Sequence, residues 1–434
     1  MRRRVVFLAV GVGASLLVPL VPAAARAAEN HPLPRRMRVS EALHHLGARA
    51  DGVARSHGQS ESDWRMLAAD QTAWLDQDAN LYFVEPTAPA STATGTSVAA
   101  APIDLSQTFL LHSSPSSTRK LFLDFDGHTI GASGWSSGTL TAAAYSADAD
   151  GTAFSDAEKT TIQDVWARVA EDYAPFDIDV TTEDPGYAGI NRASTSDTSF
   201  GTRVVITGST SVYTTVCPSG CGGVAYVGTI DATGTTHDYY QPAWVFTNGV
   251  GYGAKNIAEA AAHEAGHNMG LSHDGTATTG YYSGQGAWAP IMGVGYYKPV
   301  SQWSRGEYTG ANQLQDDFVV VTQNAVPLRT DDIGGPSAPA PAGPSPIAVS
   351  GIIHNRTDQD AFSFTTTGGQ IDFTATPGAV GANLDIRLAL LDESGTELAA
   401  ADPAVAMVNA STATGLDASL SLSVPAGTYR VVVD

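Results

Sequence analysis

The twelve residues from His263 to Asp274, His-Glu-Ala-Gly-His-Asn-Met-Gly-Leu-Ser-His-Asp, constrain this chain more than any other stretch. His263 and His267 are four apart, so on a helix they share one face, one turn from each other. On a continuous helix His273 would sit about 9 Å further along the axis than His267 and point away from His263. A shared site therefore requires the helix to end between them. Gly270 supplies the break, because glycine enters the left-handed conformation without a Cβ penalty. The chain can then fold back and bring the third imidazole to the same point.

Three neutral imidazoles leave a fourth coordination position open, the arrangement of catalytic rather than structural zinc. A Zn²⁺ ion there would activate a water and polarise a carbonyl. Glu264 lies beside the ligands without being one, where it can take the water's proton and deliver it to a leaving amine. Asp274, next to the third histidine, is expected to hold local structure through hydrogen bonds. HExxH alone is a weak signal, and three histidines, a glutamate and a glycine at fixed offsets are far more specific. The competing reading is a degenerate, non-catalytic relative, which usually loses the glutamate present here.

These residues match the long zinc signature HExxHxxGxxH of the metzincins, and the aspartate after the third histidine resembles the adamalysin or reprolysin branch. The resemblance implies an α+β catalytic domain, a twisted mixed sheet with two long helices, and a methionine turn beneath the metal. Ala289-Pro-Ile-Met292-Gly, nineteen residues after His273, resembles that turn. In astacin-like and serralysin-like members a tyrosine lies two residues after the methionine. Val294 stands at that position here, with Tyr296 and Tyr297 further on, so no tyrosine ligand is carried over. The resemblance also implies an antiparallel edge strand that binds extended substrate by strand addition. Gly223, Val224, Ala225 and Tyr226 look like that strand, the alternative being an ordinary inner strand. Matrixin-type latency uses a propeptide cysteine on the zinc. No cysteine precedes Cys217, so any inhibition by the N-terminal region works differently.

Around this centre the chain divides by texture. Arg2, Arg3 and Arg4, the apolar run Val5–Val21 and small residues to Ala28 read as a signal peptide over residues 1–28. That run is too short and too interrupted for a membrane span, and no other segment is long enough. Residues 29–117 read as a propeptide and linker, or alternatively a small accessory domain. Within them, Arg38–Arg49 and Ser62–Leu75 have helical spacing, Leu81–Val84 is a short strand, and Pro86–Pro102 is the linker. Residues 118–330 form the catalytic domain. Its strands are expected at 120–125, 177–182, 203–207, 223–230 and 243–247. The capping box Ser155-Asp-Ala-Glu158 opens a helix to Tyr173, with Ile162, Val165, Trp166 and Val169 on one face. A second helix spans 254–269. A Pro-rich, semi-extended linker covers 331–348. Alternating strands then predict a small C-terminal β-sandwich over 349–434, open to being incomplete. Asp358-Gln-Asp360-Ala-Phe-Ser-Phe and Pro425-Ala-Gly-Thr-Tyr429 resemble the bacterial pre-peptidase C-terminal domain.

A net charge of −21 argues against nucleic acid or an anionic membrane as partner. The two cysteines, Cys217 and Cys221, either close a small local disulfide or remain free thiols. Asp148-Ala-Asp150-Gly151 suggests calcium, but Ser146 and Ala157 fall at the first and twelfth loop positions and the spacing fails. Asp124 and Asp126 before Gly127 could hold an ion, a solvated turn being the preferred reading. The expectation is a secreted, extracellular zinc endopeptidase acting on proteins or peptides, monomeric, with one catalytic Zn²⁺. A secreted amidase acting on cell-wall peptides would use the same site. A binding protein with a vestigial protease domain is the third alternative.

Overall fold

The computed structural model describes residues 31–88, 103–148, 151 and 153–434. The signal segment, most of the expected 86–102 linker and Asp150 of the candidate calcium loop lie outside the described residues.

The N-terminal segment runs β1 (Met37–Arg38), α1 (Val39–Leu46), α2 (Ala50–Ser56), α3 (Glu61–Leu67), β2 (Ala73–Leu75) and β3 (Leu81–Val84). In α1 the buried residues Val39, Ala42 and Leu46 recur at helical spacing. A capping box between Ser60 and Asp63 starts α3. The helical spacing expected as far as Leu75 stops at Leu67. Asp70 accepts from the backbone N–H and hydroxyl of Thr72, a side-chain turn that competes with the helix. Beyond it Ala73-Trp-Leu75 pairs as a strand.

The central region contains β4 (Arg119–Asp124), the antiparallel pair β5 (His128–Ile130) and β6 (Leu140–Ala142), α4 (Asp156–Asp172) and β7 (Asp179–Thr181). It continues through α5 (Gly186–Ile190), β8 (Phe200–Thr207), α6 (Thr210–Val216), β9 (Gly223–Tyr226), α7 (Thr235–Tyr239) and β10 (Ala243–Phe246). Then follow α8 (Thr247–Val250), α9 (Ala254–Asn268), the parallel pair β11 (Trp288–Pro290) and β12 (Val300–Gln302), and α10 (Asp317–Gln323). The expected capping box opens α4. Cys217 and Cys221 are joined in a disulfide and buried.

One eight-stranded sheet, in the order β1-β2-β3-β9-β10-β8-β4-β7, joins the first two regions. Strands β7, β4, β8 and β10 are parallel, and β9 turns antiparallel to β10. The free side of β9 is taken by β3, with Tyr82 opposite Tyr226, Phe83 opposite Ala225 and Val84 opposite Val224. The strand expected at an edge therefore lies inside the sheet. Both long helices pack on one face, where Ile162, Val165 and Val169 of α4 meet Ile257, Ala261 and Ala265 of α9 and Leu121, Val204 and Ile206 of the sheet. Alanines at 258, 261, 262 and 265 let α9 lie close to the strands, and every residue from Asn256 to Asn268 except Glu259 is buried. Asp124 departs from its expected solvated turn. It is buried and ion-paired to Arg203, and burial pushes its carboxyl up to about 7 despite that guanidinium.

The C-terminal region contains β13 (Ala340–Pro341), β14 (Asp360–Thr366), β15 (Gly369–Ala375), β16 (Leu388–Asp392) and β17 (Glu397–Ala401). A small pair, β18 (Ala406–Asn409) and β19 (Thr412–Thr414), precedes β20 (Ala418–Val424) and β21 (Gly427–Val433). The sheet β13-β14-β21-β16-β17 and the pair β15-β20 share a core of Phe362, Leu388, Leu390 and Val431 against Leu420 and Val424. This is compatible with the expected sandwich. Strands β17 to β19 were not anticipated, and β13 forms within the Pro-rich spacer, parallel to β14.

Candidate metal centre

The end of α9 is built as the glycine spacing requires. Gly270 has φ +93°, its N–H donates to the His267 carbonyl at 2.9 Å, and Leu271 N–H reaches back to Gly266 O at 3.1 Å. These two bonds close the helix in a Schellman-type turn. The returning strand of chain then does a second job, because the Leu271 carbonyl lies 2.8 Å from His267 Nδ1. The same turn carries His273 back toward His263 and His267.

Each imidazole is held through its Nδ1. His263 Nδ1 lies 2.8 Å from the Ile291 carbonyl, His267 Nδ1 from that of Leu271, and His273 Nδ1 lies 2.6 Å from Asp70 Oδ2. An acceptor at Nδ1 places the proton there and turns the Nε2 lone pair inward. The three Nε2 atoms converge. Those of His267 and His273 are 3.1 Å apart, and buried His263 Nε2 has no hydrogen-bond partner among the described residues. Two nitrogens each bound to zinc at about 2.0–2.1 Å in tetrahedral geometry sit about 3.3 Å apart. The donor set and its spacing therefore fit such an ion.

Met292 lies directly under these ligands. It is fully buried, and a Cβ on Gly266, between the two helical histidines, would stand 2.7 Å from its sulfur. The glycine of His-Glu-Ala-Gly-His thus makes room for the methionine. Asp274 ties the same loop to the third histidine through the backbone, its N–H bonding Met292 O at 2.8 Å and its carbonyl accepting from Tyr282 N–H at 2.7 Å. Glu264 is fully buried, with neither carboxylate oxygen hydrogen-bonded among the described residues. Its neighbour is β9, where any Cβ on Gly223 would collide with the carboxylate. Val224, Ala225 and Tyr226 continue that strand, all buried.

The centre contains a fourth donor that the spacing of the histidines does not announce. Glu85, immediately after β3, places Oε1 2.9 Å from His273 Nε2 and 3.4 Å from His267 Nε2, with Oε2 3.5 Å from His263 Nε2. Donor atoms of Glu85, His263, His267 and His273 all lie within 4.8 Å of one another. The Tyr281 hydroxyl donates to Glu85 and stands 2.9 Å from Thr72 Oγ1. Asp70, Thr72, Glu85 and Tyr281 were all missed by reading the sequence. Only the acidic residue closing the Leu81–Val84 strand offered a signal, and it named no partner. Tyr296 lines the cleft beside His263 and Glu264 with Val294 and Gly295, whereas Tyr297 is exposed.

The two glutamates sit in opposite electrostatic settings. Burial would raise the Glu85 carboxyl, but His273 and His263 hold it well below the ordinary range. Burial, reinforced by the charge of Glu85, pushes Glu264 well above it. Among the imidazoles, burial lowers His267 to about 4, while Glu85 and Asp70 overcome burial at His273 and raise it to about 9. A cation in the cluster would favour the charged form of any nearby carboxylate.

A buried cluster of three imidazoles and a carboxylate on a mixed α+β fold is able to coordinate a metal ion, is compatible with Zn²⁺, and is consistent with metal-dependent hydrolysis. The family model Reprolysin_5, described as metallo-peptidase family M12, matches residues 191–296, from before β8 through all three histidines to Tyr296. The chain thus carries a partial M12-like metallopeptidase domain, consistent with the metzincin superfamily. No curated protein and no solved structure matches the chain. Among the described residues no helix is long and apolar enough to cross a membrane.

Proposed function

We propose that the chain is a secreted zinc endopeptidase of the metzincin type, with residues 118–330 as its catalytic unit and Glu264 as general base. The observation that carries this reading is the convergence of three Nδ1-anchored imidazoles beside a buried glutamate with no competing hydrogen bond. Held by His263, His267 and His273, a Zn²⁺ ion supplies Lewis acidity toward a water and the scissile carbonyl. The protein's own groups do the rest. Backbone carbonyls of the catalytic unit itself, those of Ile291 and Leu271, fix the tautomers of His263 and His267 and keep their Nε2 atoms aimed inward without reorganisation. Glu264 takes a proton from the attacking water on a carboxylate oxygen and returns it to the leaving nitrogen. Its burial keeps bulk water from competing for that proton. Tyr281, whose ring centroid is 4.2 Å from that of His273, keeps a phenolic donor at the same centre. With β3 displaced, extended substrate adds to the freed edge of β9 through main-chain hydrogen bonds. The 1–28 stretch serves export, the 331–348 linker spaces the domains, and the 349–434 sandwich is an appended module.

The test uses the full chain with a specific cleavage sequence inserted between residues 89 and 102, loaded with Zn²⁺, cut, and assayed on casein beside Glu264→Gln. About one zinc per chain in both, with cleavage by the parent alone, is the expected result. A zinc-bearing parent that is inert on casein yet releases peptides from purified cell wall would make it an amidase. A folded parent that retains no zinc refutes the assignment.

A further inference from the structure

Residues 31–88 occupy the two places that a working peptidase must keep free. We infer that this segment is a built-in inhibitor that adds as a strand to β9 and uses Glu85 as a carboxylate ligand on the fourth position of the metal, so that the full chain is latent. The inference rests on the peptidase reading above and goes beyond it by assigning the occupant of the cleft and the atom that closes the metal.

Four observations converge on it. First, the backbone of β3 fills the hydrogen-bonding edge of β9. The ladder runs past the strand itself, from Val227 N–H on Leu81 O at 3.0 Å to Glu85 N–H on Gly223 O and Gly222 N–H on Glu85 O, both 2.9 Å. A substrate adding to β9 would need those same groups. Second, the register fixes which side chain arrives at the metal. Pairing of Val84 with Val224 puts Glu85 opposite Gly223, the residue whose missing Cβ leaves space for Glu264. A one-residue slip would turn the carboxylate to the other face of the sheet.

Third, Glu85 is the only carboxylate among the described residues grouped with the three imidazoles. It is buried and oriented from both ends. The imidazoles face its two oxygens on one side, and the Tyr281 hydroxyl donates from the other. An anionic oxygen is a normal zinc ligand beside three histidines, and once bound it leaves no position for a water. Fourth, the segment grips the ligands themselves. Asp70 holds His273 Nδ1, and the fully buried Phe83 ring stacks on His267 at 4.5 Å and 22° and packs on His273 at 4.1 Å. Small docking contacts alone would not place an acid, a carboxylate-anchored imidazole and an aromatic ring on one metal centre.

The arrangement answers how a chain without a cysteine upstream of Cys217 could be kept silent. It also says what activation must accomplish: severing the chain downstream of Glu85 and withdrawing β3, which frees the β9 edge and the fourth position together. The segment and its target then separate along hydrogen bonds and the ring contacts of Phe83 with His267 and His273 and of Tyr82 with Tyr226 and Trp135, with no covalent bond to β9 to break.

The test compares parent, Glu85→Gln and Glu85→Asp as full chains carrying the inserted cleavage sequence, each loaded with Zn²⁺. Zinc retention against a chromophoric chelator and casein hydrolysis are read before and after cutting and removal of the N-terminal fragment. Uncut Glu85→Gln is expected to release zinc at least about tenfold more readily than uncut parent, with Glu85→Asp between them. After removal all three must become identical, because the altered residue has left. Uncut parent is expected to hydrolyse casein at under about a hundredth of the cut rate, by loss of the activated water. Circular dichroism of each uncut variant separates a lost ligand from a lost fold, and the Asp variant keeps the test alive if Gln unfolds. Equal zinc retention in uncut parent and both variants, or an uncut parent as active as the cut one, overturns the inference while leaving the peptidase reading intact. A cut protein that holds zinc but hydrolyses nothing overturns the peptidase reading instead, and the zinc comparison still decides the role of Glu85.

Discussion

The two flanks of the central region are attached by different physics. The N-terminal segment is continuous with the main sheet: β3 exchanges backbone hydrogen bonds with β9, and its ring and carboxylates enter the metal cluster. The C-terminal region has its own core and its own sheets, and it meets the central region through a few polar and ring contacts. Asn383 donates to Asp172 at 3.3 Å, and Arg356 pairs with Asp316 at 3.0 Å while covering the Phe318 ring. A flank that shares a sheet can control the site. One that shares only a surface can be altered without the site noticing.

The largest effect expected concerns the site itself. Glu264→Gln should lower casein hydrolysis by the cut protein about a hundred- to ten-thousand-fold with zinc retained. Since Glu264 makes no hydrogen bond to the C-terminal flank, thermal unfolding of that flank should stay unchanged. A variant that loses zinc along with activity would mean Glu264 supports the ligands structurally.

Next comes the N-terminal flank. Phe83→Ala removes a fully buried ring that joins the N-terminal core to His267 and His273 and should cost about 3–5 kcal/mol of segment stability and docking. Denaturant titration and the basal casein activity of the uncut chain should both register it. In the C-terminal flank, Leu390→Ala removes an equally buried side chain of β16 at about 2–5 kcal/mol. That change should lower the melting of the C-terminal region while leaving zinc retention at parental level. If Leu390→Ala also loosened the zinc, the two flanks would not differ as described.

The smallest effect is a pH dependence at the C-terminal contact. Burial pushes Glu171 up to about 7, and burial with the charge of Glu259 raises Asp172 well above the carboxylate range. Both lie where the C-terminal region touches α4, Asp172 bonded to Asn383 and Glu171 against Gly378. A carboxyl whose pKa is raised on folding binds its proton more tightly in the folded state, so stability falls as pH rises through the raised value. Calorimetry should find the C-terminal transition lower at about pH 8 than at about pH 5. A transition that moved the other way would assign the contact to other groups.

Much of the fold was legible where local chemistry decides it. Ser155 and Glu158 cap α4 as their spacing requires, and Leu81–Val84 is a strand at the expected bounds. Ser62–Leu75 misled because its helical spacing is interrupted by the Asp70–Thr72 turn, a side-chain bond that periodicity does not register. The same Asp70 proves to hold His273, a double use that no single-sequence pattern announces.

By itself the sequence determined that His263 and His267 share a helical face, that Gly270 must end that helix, and that a glutamate stands beside them. Each follows from rise, period and the absence of a Cβ, which act within a few residues. Only the tertiary structure decided that Leu81–Val84 would pair with β9 and so bring Glu85 to His273, 188 positions away in the chain. Strands of similar composition offer the same backbone groups to many partners, and register is fixed only when a whole buried face finds its counterpart.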